Sequence, residues 1–195
     1  MEQIERKGVA VVMPFVRKQY EVEDILNLPK GQRAELLDGE MVMMASPTRT
    51  HQAILMWLSS AIFQTIQDKG GKCSVFPAPF AVFIKNDKRN YVEPDIVVVC
   101  DKDKLDEAGC HGAPDWIIEI VSPASEKLDY ERKLGLYRES GVREYWIVDA
   151  ANRMVTVHRL ELGEQPVRYD FAERIKPSIY DSFEIDFSEM ENYLE

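Results

Sequence analysis

With 195 residues, the chain is long enough to bury a sizeable core in one domain and too short for two full-sized domains. Its 45% hydrophobic and 10% aromatic residues exclude disordered, collagen-like and low-complexity chains, and no apolar run reaches the ~18 residues that a transmembrane helix needs. The net charge of −10 lies mostly in residues 160–195, which hold ten acidic against three basic residues, so the rest of the chain neither favours nor excludes a surface that contacts DNA.

The first part of the chain predicts two helices and a hairpin. Residues 21–28 are typical of a short helix that ends before a proline. Asp38-Gly39 separates two apolar runs and is a strong signal for a two-residue hairpin turn. Residues 50–69 predict a long helix, because their apolar positions follow the helical period and two glycines come directly after it.

The rest of the chain predicts a sheet and a second good helix. The expected strands cover residues 73–76, 80–85, 95–100, 116–121, 144–149, 154–160, 167–171 and 183–187. The helix covers residues 126–140 and ends at Gly141, and a short acidic helix closes the chain. We therefore expect a single domain, residues 1–195, of the α/β or α+β class: a mixed sheet flanked by helices, with an acidic C-terminal extension at residues 161–195.

The N-terminal residues and the cysteines exclude further classes. Residues 1–20 have charges on both sides of a short apolar run and no small-residue cleavage site, so we interpret them as a tail or a first strand and expect a cytoplasmic protein with no membrane association. Three cysteines without a CxxC spacing argue against a disulfide framework and a structural zinc site, and Cys73 and Cys100 are expected to be buried apolar side chains. No phosphate-binding glycine loop is present, and we expect no organic cofactor.

The most unusual residue is Glu119, which interrupts the apolar run WIIEIV at 116–121, where an ionised carboxylate is costly unless it is paired or bound to a cation. Asp95 opens another apolar run. If the two runs form adjacent antiparallel strands, both carboxylates lie at one end of the sheet, and they are hard oxygen ligands suited to Mg²⁺ or Mn²⁺. The structural alternative is that Asp95 caps a turn and Glu119 forms a buried salt bridge with an arginine.

The helix at 126–140 adds a cation to this pair. Asp129, Lys133 and Tyr137 are at positions i, i+4 and i+8, so they share one face, and Lys133 reaches the two carboxylates if that face packs over the sheet. Phosphodiester hydrolysis needs a metal that polarises the phosphoryl oxygen and acidifies a water, and a cation for the developing charge. Two carboxylates and a lysine are a minimal set for that reaction. The alternative is an exposed Asp129–Lys133 ion pair, worth roughly a few tenths of a kcal/mol.

The chain contains four strings that carry a resemblance to a known family: AELLDGEMVMMASP (34–47), YVEPDIVVV (91–99), DWIIEIVSPAS (115–125) and DYERKLGLYRESGVREYWIVD (129–149). Together they resemble the Uma-type restriction endonuclease family, long catalogued as a domain of unknown function, in the PD-(D/E)xK nuclease superfamily. The match covers about residues 20–160, in the right order and spacing, and is specific as a set. The resemblance implies a restriction-endonuclease-like fold, with a mixed core sheet between helices, and a divalent-metal nuclease.

Position by position, the resemblance implies an active site. Asp95 and Glu119 match the family's PD and (D/E) positions, and with the main-chain carbonyl of Ile120 they would hold Mg²⁺ or Mn²⁺. The lysine expected two residues after Glu119 is absent, because Val121 stands there. Lys133 matches a position on the following helix to which the lysine of this family has moved. There it would position the attacking water or stabilise the charge of the transition state.

Two further residues match positions that recur in the family. Glu35 would supply a third metal contact, or else it is a charge at a strand edge beside the hairpin. His51 would carry a proton or contact a phosphate, since its charge is adjustable near neutral pH, or else it is structural.

Other aromatic and histidine residues are expected to have structural roles. His111 and His158 are interpreted as loop and surface residues. Tyr137 is interpreted as a packing residue at the site, with a hydrogen bond to a catalytic carboxylate as the alternative. Tyr145-Trp146 are interpreted as core aromatics, with stacking on bases as the alternative.

The residues and the resemblance together indicate a metal-dependent DNA endonuclease. The resemblance implies products with a 5′-phosphate and a 3′-hydroxyl. By analogy with enzymes that cut both strands of a duplex, we expect a homodimer. Two alternatives stay open. One is a catalytically silent dimeric module that binds nucleic acid or serves in assembly on the same fold. The other is a glycosidase, which needs its two carboxyls ~5–10 Å apart across a sugar cleft with no metal between them.

Overall fold

The computed structural model describes residues 18–122, 125–180 and 183–194. Residues 1–17, which hold most of the segment expected to be a tail or a first strand, lie outside the described residues. The helices are α1 (Val22–Leu26), α2 (Arg49–Asp68), α3 (Leu134–Ser140) and α4 (Phe187–Leu194), with a 3₁₀ turn at Lys102–Lys104 and a π-helical segment at Leu128–Lys133. Among the described helices, none is both long and apolar enough to cross a membrane.

Thirteen strands are present in the described residues. They are β1 (Ala34–Leu37), β2 (Glu40–Met43), β3 (Ser74–Pro77), β4 (Val82–Phe83), β5 (Ile96–Val99), β6 (Leu105–Asp106), β7 (Gly109–His111), β8 (Trp116–Val121), β9 (Glu144–Asp149), β10 (Met154–His158), β11 (Val167–Asp170), β12 (Arg174–Ile175) and β13 (Ile185–Asp186).

Six strands form the central sheet, in the order β11-β10-β9-β8-β5-β3. In this sheet β8 and β9 run parallel and the other neighbouring pairs run antiparallel. Smaller sheets are formed by β1-β2, by β12-β13 and by β4-β7-β6. The expected mixed sheet flanked by helices is therefore confirmed, and the fold is of the α+β class.

Both faces of the central sheet are buried. Trp116 and Ile118 of β8 pack in one hydrophobic cluster with Ile54 of α2, whereas Ile117 packs in a second cluster with Tyr137 of α3. A strand covered on both sides must be apolar at nearly every position, which explains the continuous run of β8.

The hairpin and the two longer predicted helices, at residues 50–69 and 126–140, are present. Asp38 and Gly39 have φ values of 50° and 81°, so both central residues of the β1–β2 turn are left-handed, as a type I′ turn requires. α2 begins after Thr48, whose side chain accepts the N–H of His51 at 3.2 Å. The helix expected at 126–140 is also present, but its first half is the π-helical segment and only its second half is α3.

The C-terminal residues complete the core on the α2 side. Phe171, Phe183, Phe187 and Met190 are at most 4% exposed and belong to the same cluster as Ile54. The acidic segment therefore contributes apolar side chains to the interior as well as negative charge.

One expectation about the cysteines is wrong, because Cys73 and Cys100 form a disulfide. β3 and β5 pair antiparallel with Ser74 opposite Val99, so the next residue pair beyond the ladder is Cys73 and Cys100. An odd number of cysteines excludes complete pairing but not a single bridge. The sequence did not reveal which strands are neighbours, and that neighbourhood decides the pairing. Cys110 is free and buried.

Candidate active site

Two neighbouring strands bring two carboxylates to the same face of the sheet. Asp95 directly precedes β5, and Glu119 lies within β8. β5 and β8 pair antiparallel with Ile96 opposite Ile118, which places Asp95 opposite Glu119. Side chains of directly opposite residues extend to the same face of a sheet, so the two carboxylates are neighbours.

Asp95 is fixed by two contacts through one oxygen. Its Oδ2 accepts the main-chain N–H of Ile120 at 2.7 Å and lies 3.1 Å from Nε2 of His51, which comes from the first turn of α2. A strand residue presents its N–H and its C=O on the same edge, so the carbonyl of Ile120 is directed to the edge that faces Asp95. The Asp95 and His51 side chains are 16% and 18% exposed, which makes them the more accessible part of the site.

Lys133 reaches Glu119 from the π-helical segment. Its Nζ lies 2.9 Å from Oε1 of Glu119, 2.9 Å from Oε2 of Glu35 and 3.7 Å from Oδ1 of Asp129. Lys133 is 4% exposed and Asp129 is 3% exposed, so this pair is not the exposed ion pair of the alternative interpretation. The buried salt bridge that the structural alternative assigned to an arginine is therefore made by a lysine.

Glu35 joins the cluster from β1. It is 2% exposed, so it is not a solvated charge at a strand edge. One of its oxygens, Oε1, accepts the N–H of Glu93 at 3.0 Å, and the other binds Lys133. The structure thus brings Glu35, Glu119 and Lys133 together, with Asp95 opposite Glu119 and His51 beyond Asp95.

The structure also brings tyrosines into this cluster. The hydroxyl of Tyr137 donates to Oε1 of Glu119 at 2.8 Å, which is the alternative to a pure packing role. The hydroxyl of Tyr145 donates to the main-chain carbonyl of Asp129 at 3.1 Å, in addition to its expected place in the core. The i, i+4, i+8 spacing of Asp129, Lys133 and Tyr137 was the signal in the sequence that could have assigned all three to the site.

The helix that carries Asp129 and Lys133 is π-helical over Leu128–Lys133. A π segment places one more residue in each hydrogen-bonded turn than an α-helix, and such segments are frequent at functional sites. Here it lies directly above the carboxylates of the sheet, and regular α3 begins only after Lys133.

Burial and charge shift the proton affinities of the cluster. Burial raises the pKa of Glu119 well above its usual range, and it also raises the pKa of Asp129. Burial acts to lower the pKa of Lys133, but the carboxylates of Glu119, Glu35 and Asp129 outweigh it and hold that pKa well above its usual value. The cluster therefore keeps a cation and holds more carboxyl groups than one lysine can balance.

The donor chemistry fits a divalent metal at one end of this cluster. Within the described residues, no group of three or more histidine, cysteine, aspartate or glutamate side chains could by itself hold a metal ion. Asp95, Glu119 and the carbonyl of Ile120 are hard oxygen donors, and Mg²⁺ is commonly held by one or two carboxylates while waters and substrate phosphate complete its coordination. The residues present fit such an incomplete site.

The other two histidines lie on β10 and β7. His158, which was expected at the surface, is instead 7% exposed on β10 and stacks on the ring of Tyr145. Burial lowers the pKa of His158 to about 4. His111 is half-buried on β7 and stacks on Phe83.

The chain is similar to a known protein family, to one curated relative and to a solved structure. The family model described as "Uma2: Putative restriction endonuclease" matches residues 22–188. An "Uncharacterized protein slr1290" from Synechocystis is 26% identical over 170 residues, covering 84% of this chain and 88% of that protein. A crystal structure described as "a putative nuclease belonging to DUF820" from Anabaena variabilis has a TM-score of 0.74 at 20% identity and covers 90% of this chain and 99% of its own. This structural likeness confirms the fold.

Proposed function

The chain belongs to the Uma2 family, and on that premise we propose that it is a divalent-metal-dependent endonuclease that hydrolyses phosphodiester bonds in DNA. The observation that carries the proposal is the placement of Asp95 opposite Glu119, with Nζ of Lys133 2.9 Å from Glu119. A carboxylate pair beside a buried lysine supplies both the metal ligands and the cation that this reaction needs.

Asp95, Glu119 and the carbonyl of Ile120 would hold Mg²⁺ or Mn²⁺ in this proposal. When bound, the metal would polarise the scissile phosphate and lower the pKa of a coordinated water. Asp95 is suited to this role because its contacts with His51 and with the N–H of Ile120 both use Oδ2. Neither contact occupies Oδ1, which can therefore bind the metal.

Lys133 would place a positive charge beside the phosphate oxygens. Glu35 and Asp129 would act as positioning residues, since their carboxylates also contact Nζ of Lys133 and so fix the place of the ammonium group. Three carboxylates keep Lys133 charged, so the lysine donates hydrogen bonds and does not accept a proton.

His51 would contact the phosphate or carry a proton at the open side of the site. Asp95 and His51 are several-fold more exposed than Glu119 and Lys133, whose side chains are each 5% exposed. The scissile phosphate would therefore approach from the side of His51 and Asp95, which are the more exposed part of the site.

The alternative function is a catalytically silent dimeric module that binds nucleic acid or serves in assembly. The observation that favours it is that Lys133 and Glu119 satisfy each other in a cluster almost closed to solvent. In that case the same residues are a structural ion network, and no metal binds.

Nicking of supercoiled plasmid distinguishes the two functions. We expect nicking that requires Mg²⁺ or Mn²⁺ and falls by at least about 100-fold in Asp95→Asn, equivalent to about 2.7 kcal/mol of transition-state stabilisation. Glu139→Gln is the matched control, because Glu139 is a 70% exposed carboxylate that pairs with Lys85 and not with Lys133. Metal-independent nicking, or equal nicking by Asp95→Asn with an unchanged melting temperature, would contradict the proposal.

A further inference from the structure

α2 exposes a face without formal charge. Between Arg49 and Asp68 at its ends, residues 50–67 contain no Asp, Glu, Lys or Arg, although 30% of the chain is charged. On that face Met56 is 61% exposed and Phe63 is 54% exposed. The outer face of a solvated helix normally carries charged residues, so an uncharged face with two large exposed apolar side chains is typical of a contact surface.

Five exposed residues of this face lie in a line along the helix, which we call the outer stripe, while the exposed Gln64 lies beside it and donates to Asp68 at 2.8 Å. Its members are separated by four, four, three and four positions and are all exposed: Gln52, Met56, Ser60, Phe63 and Gln67. The stripe has the same chemistry in both directions, since a glutamine, a large apolar residue and a serine are followed by a large apolar residue and a glutamine. A patch with this internal symmetry is complementary to a second copy of itself turned by half a rotation.

We propose that the outer stripe is a homodimer interface, in which α2 packs antiparallel against α2 of a second copy about a two-fold axis near Ser60. In this arrangement Met56 lies against Phe63 of the partner subunit, and a thioether beside an aromatic ring is a favourable contact. Gln52 lies against Gln67 of the partner subunit, where their amides exchange hydrogen bonds. The small Ser60 lies at the axis and lets the helices approach closely.

The charges at the ends of α2 favour the antiparallel arrangement. It brings Arg49, at the positive end of one helix, close to Asp68 and the negative end of the other. A parallel arrangement would bring arginine to arginine and aspartate to aspartate. The two opposite end charges therefore select the same geometry as the order of the outer stripe.

The lack of basic residues argues against other occupants of this face. A helix that lies on a membrane surface carries lysine and arginine along its polar face, and a nucleic-acid surface uses the same residues for phosphates. Residues 50–67 contain neither type. The chemistry of the stripe thus favours a protein, and its symmetry favours another copy of this chain.

The proposed dimer leaves the candidate active site open. His51 and Ser60 are nine positions apart, which is two and a half helical turns, so they face opposite sides of α2. His51 faces Asp95, whereas Ser60 faces away from the domain. The interface does not depend on whether the protein cleaves DNA, and its test uses no activity.

The test measures the oligomeric state by sedimentation. Variants place opposite charges at the two apolar positions that face each other across the axis. We expect a wild-type dimer that Met56→Lys and Phe63→Glu each weaken by at least about 10-fold in Kd, equivalent to about 1.4 kcal/mol. The double variant Met56→Lys/Phe63→Glu should regain dimerisation, because antiparallel packing sets each new lysine against a new glutamate. Leu162→Glu is the matched control, since Leu162 is 57% exposed outside the stripe.

Each outcome decides the proposal. A monomeric wild-type protein at every soluble concentration overturns it, as does a dimer that neither single variant weakens. Loss of the dimer in both single variants without recovery in the double variant overturns the antiparallel arrangement. Far-ultraviolet circular dichroism of each variant separates dissociation from unfolding, and oxidation of Ser60→Cys should yield a covalent dimer through the axis.

Discussion

Lys133 links carboxylates from three separate parts of the chain. Glu35 comes from β1, Glu119 from β8 and Asp129 from the preceding turn of the π-helical segment. Each carboxylate is at most 4% exposed, so water cannot solvate its charge in place of the lysine. At the scale of single residues, this makes Lys133 a determinant of stability as well as a candidate for catalysis.

Replacing Lys133 tests its contribution to stability. We predict that Lys133→Met lowers the free energy of unfolding by about 3 kcal/mol near pH 7, because it leaves buried carboxylates without a counter-charge. The loss should be smaller near pH 5, since burial raises the pKa of Glu119 and of Asp129 and so favours their neutral forms as the pH falls. Urea denaturation at both pH values measures it.

The matched control for this variant is Lys85→Met. Lys85 pairs with Glu139 at 3.1 Å, but that glutamate side chain is 70% exposed, so the expected loss is below about 1 kcal/mol. Equal effects of the two substitutions would show that the buried cluster contributes no more than a surface ion pair.

His158, which stacks on Tyr145, gives the protein a further pH dependence. Burial lowers its pKa from 6.5 to about 4, so the folded state binds its proton less readily than the unfolded state. The resulting stabilisation is present above pH 6.5 and is lost as the pH falls toward 4, by up to about 3 kcal/mol. The positive charge of Arg138 also lowers the pKa of His158.

The measurement is the pKa of His158 by NMR, together with the pH dependence of stability in His158→Gln. We expect the variant to lose this part of the acid sensitivity between pH 6.5 and 4. A normal histidine pKa in the wild-type protein would contradict the burial of this ring.

At the scale of elements, the disulfide ties the first strand after α2 to β5. It joins Cys73 and Cys100 across 27 residues, and chain-entropy arguments give a loop of that length about 3.5 kcal/mol of stabilisation. We predict that reduction lowers the free energy of unfolding by up to this amount. Thermal melts with and without reductant measure it.

The control for reduction is the double variant Cys73→Ser/Cys100→Ser. Reductant should shift the melting temperature of the wild-type protein and leave that of the double variant unchanged. An equal shift in both would assign the effect to the reductant and not to the bridge.

The elements themselves were largely predictable from the sequence, because periodicity and turn residues are local. The hairpin at Asp38-Gly39, the long helix α2 and the apolar strand β8 all follow from such signals. Strand neighbourhood is not local, which is why the Cys73–Cys100 bridge was missed. The same holds for Glu35, whose contact with Lys133 depends on how β1 lies against the π-helical segment.

The candidate site was predictable only in part. Glu119 stood out because a carboxylate in a buried strand needs a partner, and Asp95 stood out because it opens the neighbouring strand. The contact of Tyr137 with Glu119 was predicted only as the alternative to packing, since a tyrosine at helical spacing is equally suited to packing. The π-helical geometry of Leu128–Lys133 has no signal in the sequence that we recognise.

At the scale of the whole molecule, net charge and DNA binding are opposed. The chain has a net charge of −10, and several basic residues that could contact DNA are paired with acids: Lys85 with Glu139, Lys88 with Glu21 and Arg132 with Glu40. These pairs leave fewer unpaired cations for a phosphate backbone to contact. In our account a divalent metal at the carboxylates supplies the attraction that the surface lacks.

Metal binding is thus the central claim, and calorimetric titration of Mn²⁺ tests it most directly. The account predicts one site in the wild-type protein, lost in Asp95→Asn and in Glu119→Gln and retained in Glu139→Gln. If the wild-type protein shows no binding near millimolar Mn²⁺, or if Asp95→Asn binds with the same affinity, the metal-dependent nuclease is contradicted and the silent module takes its place.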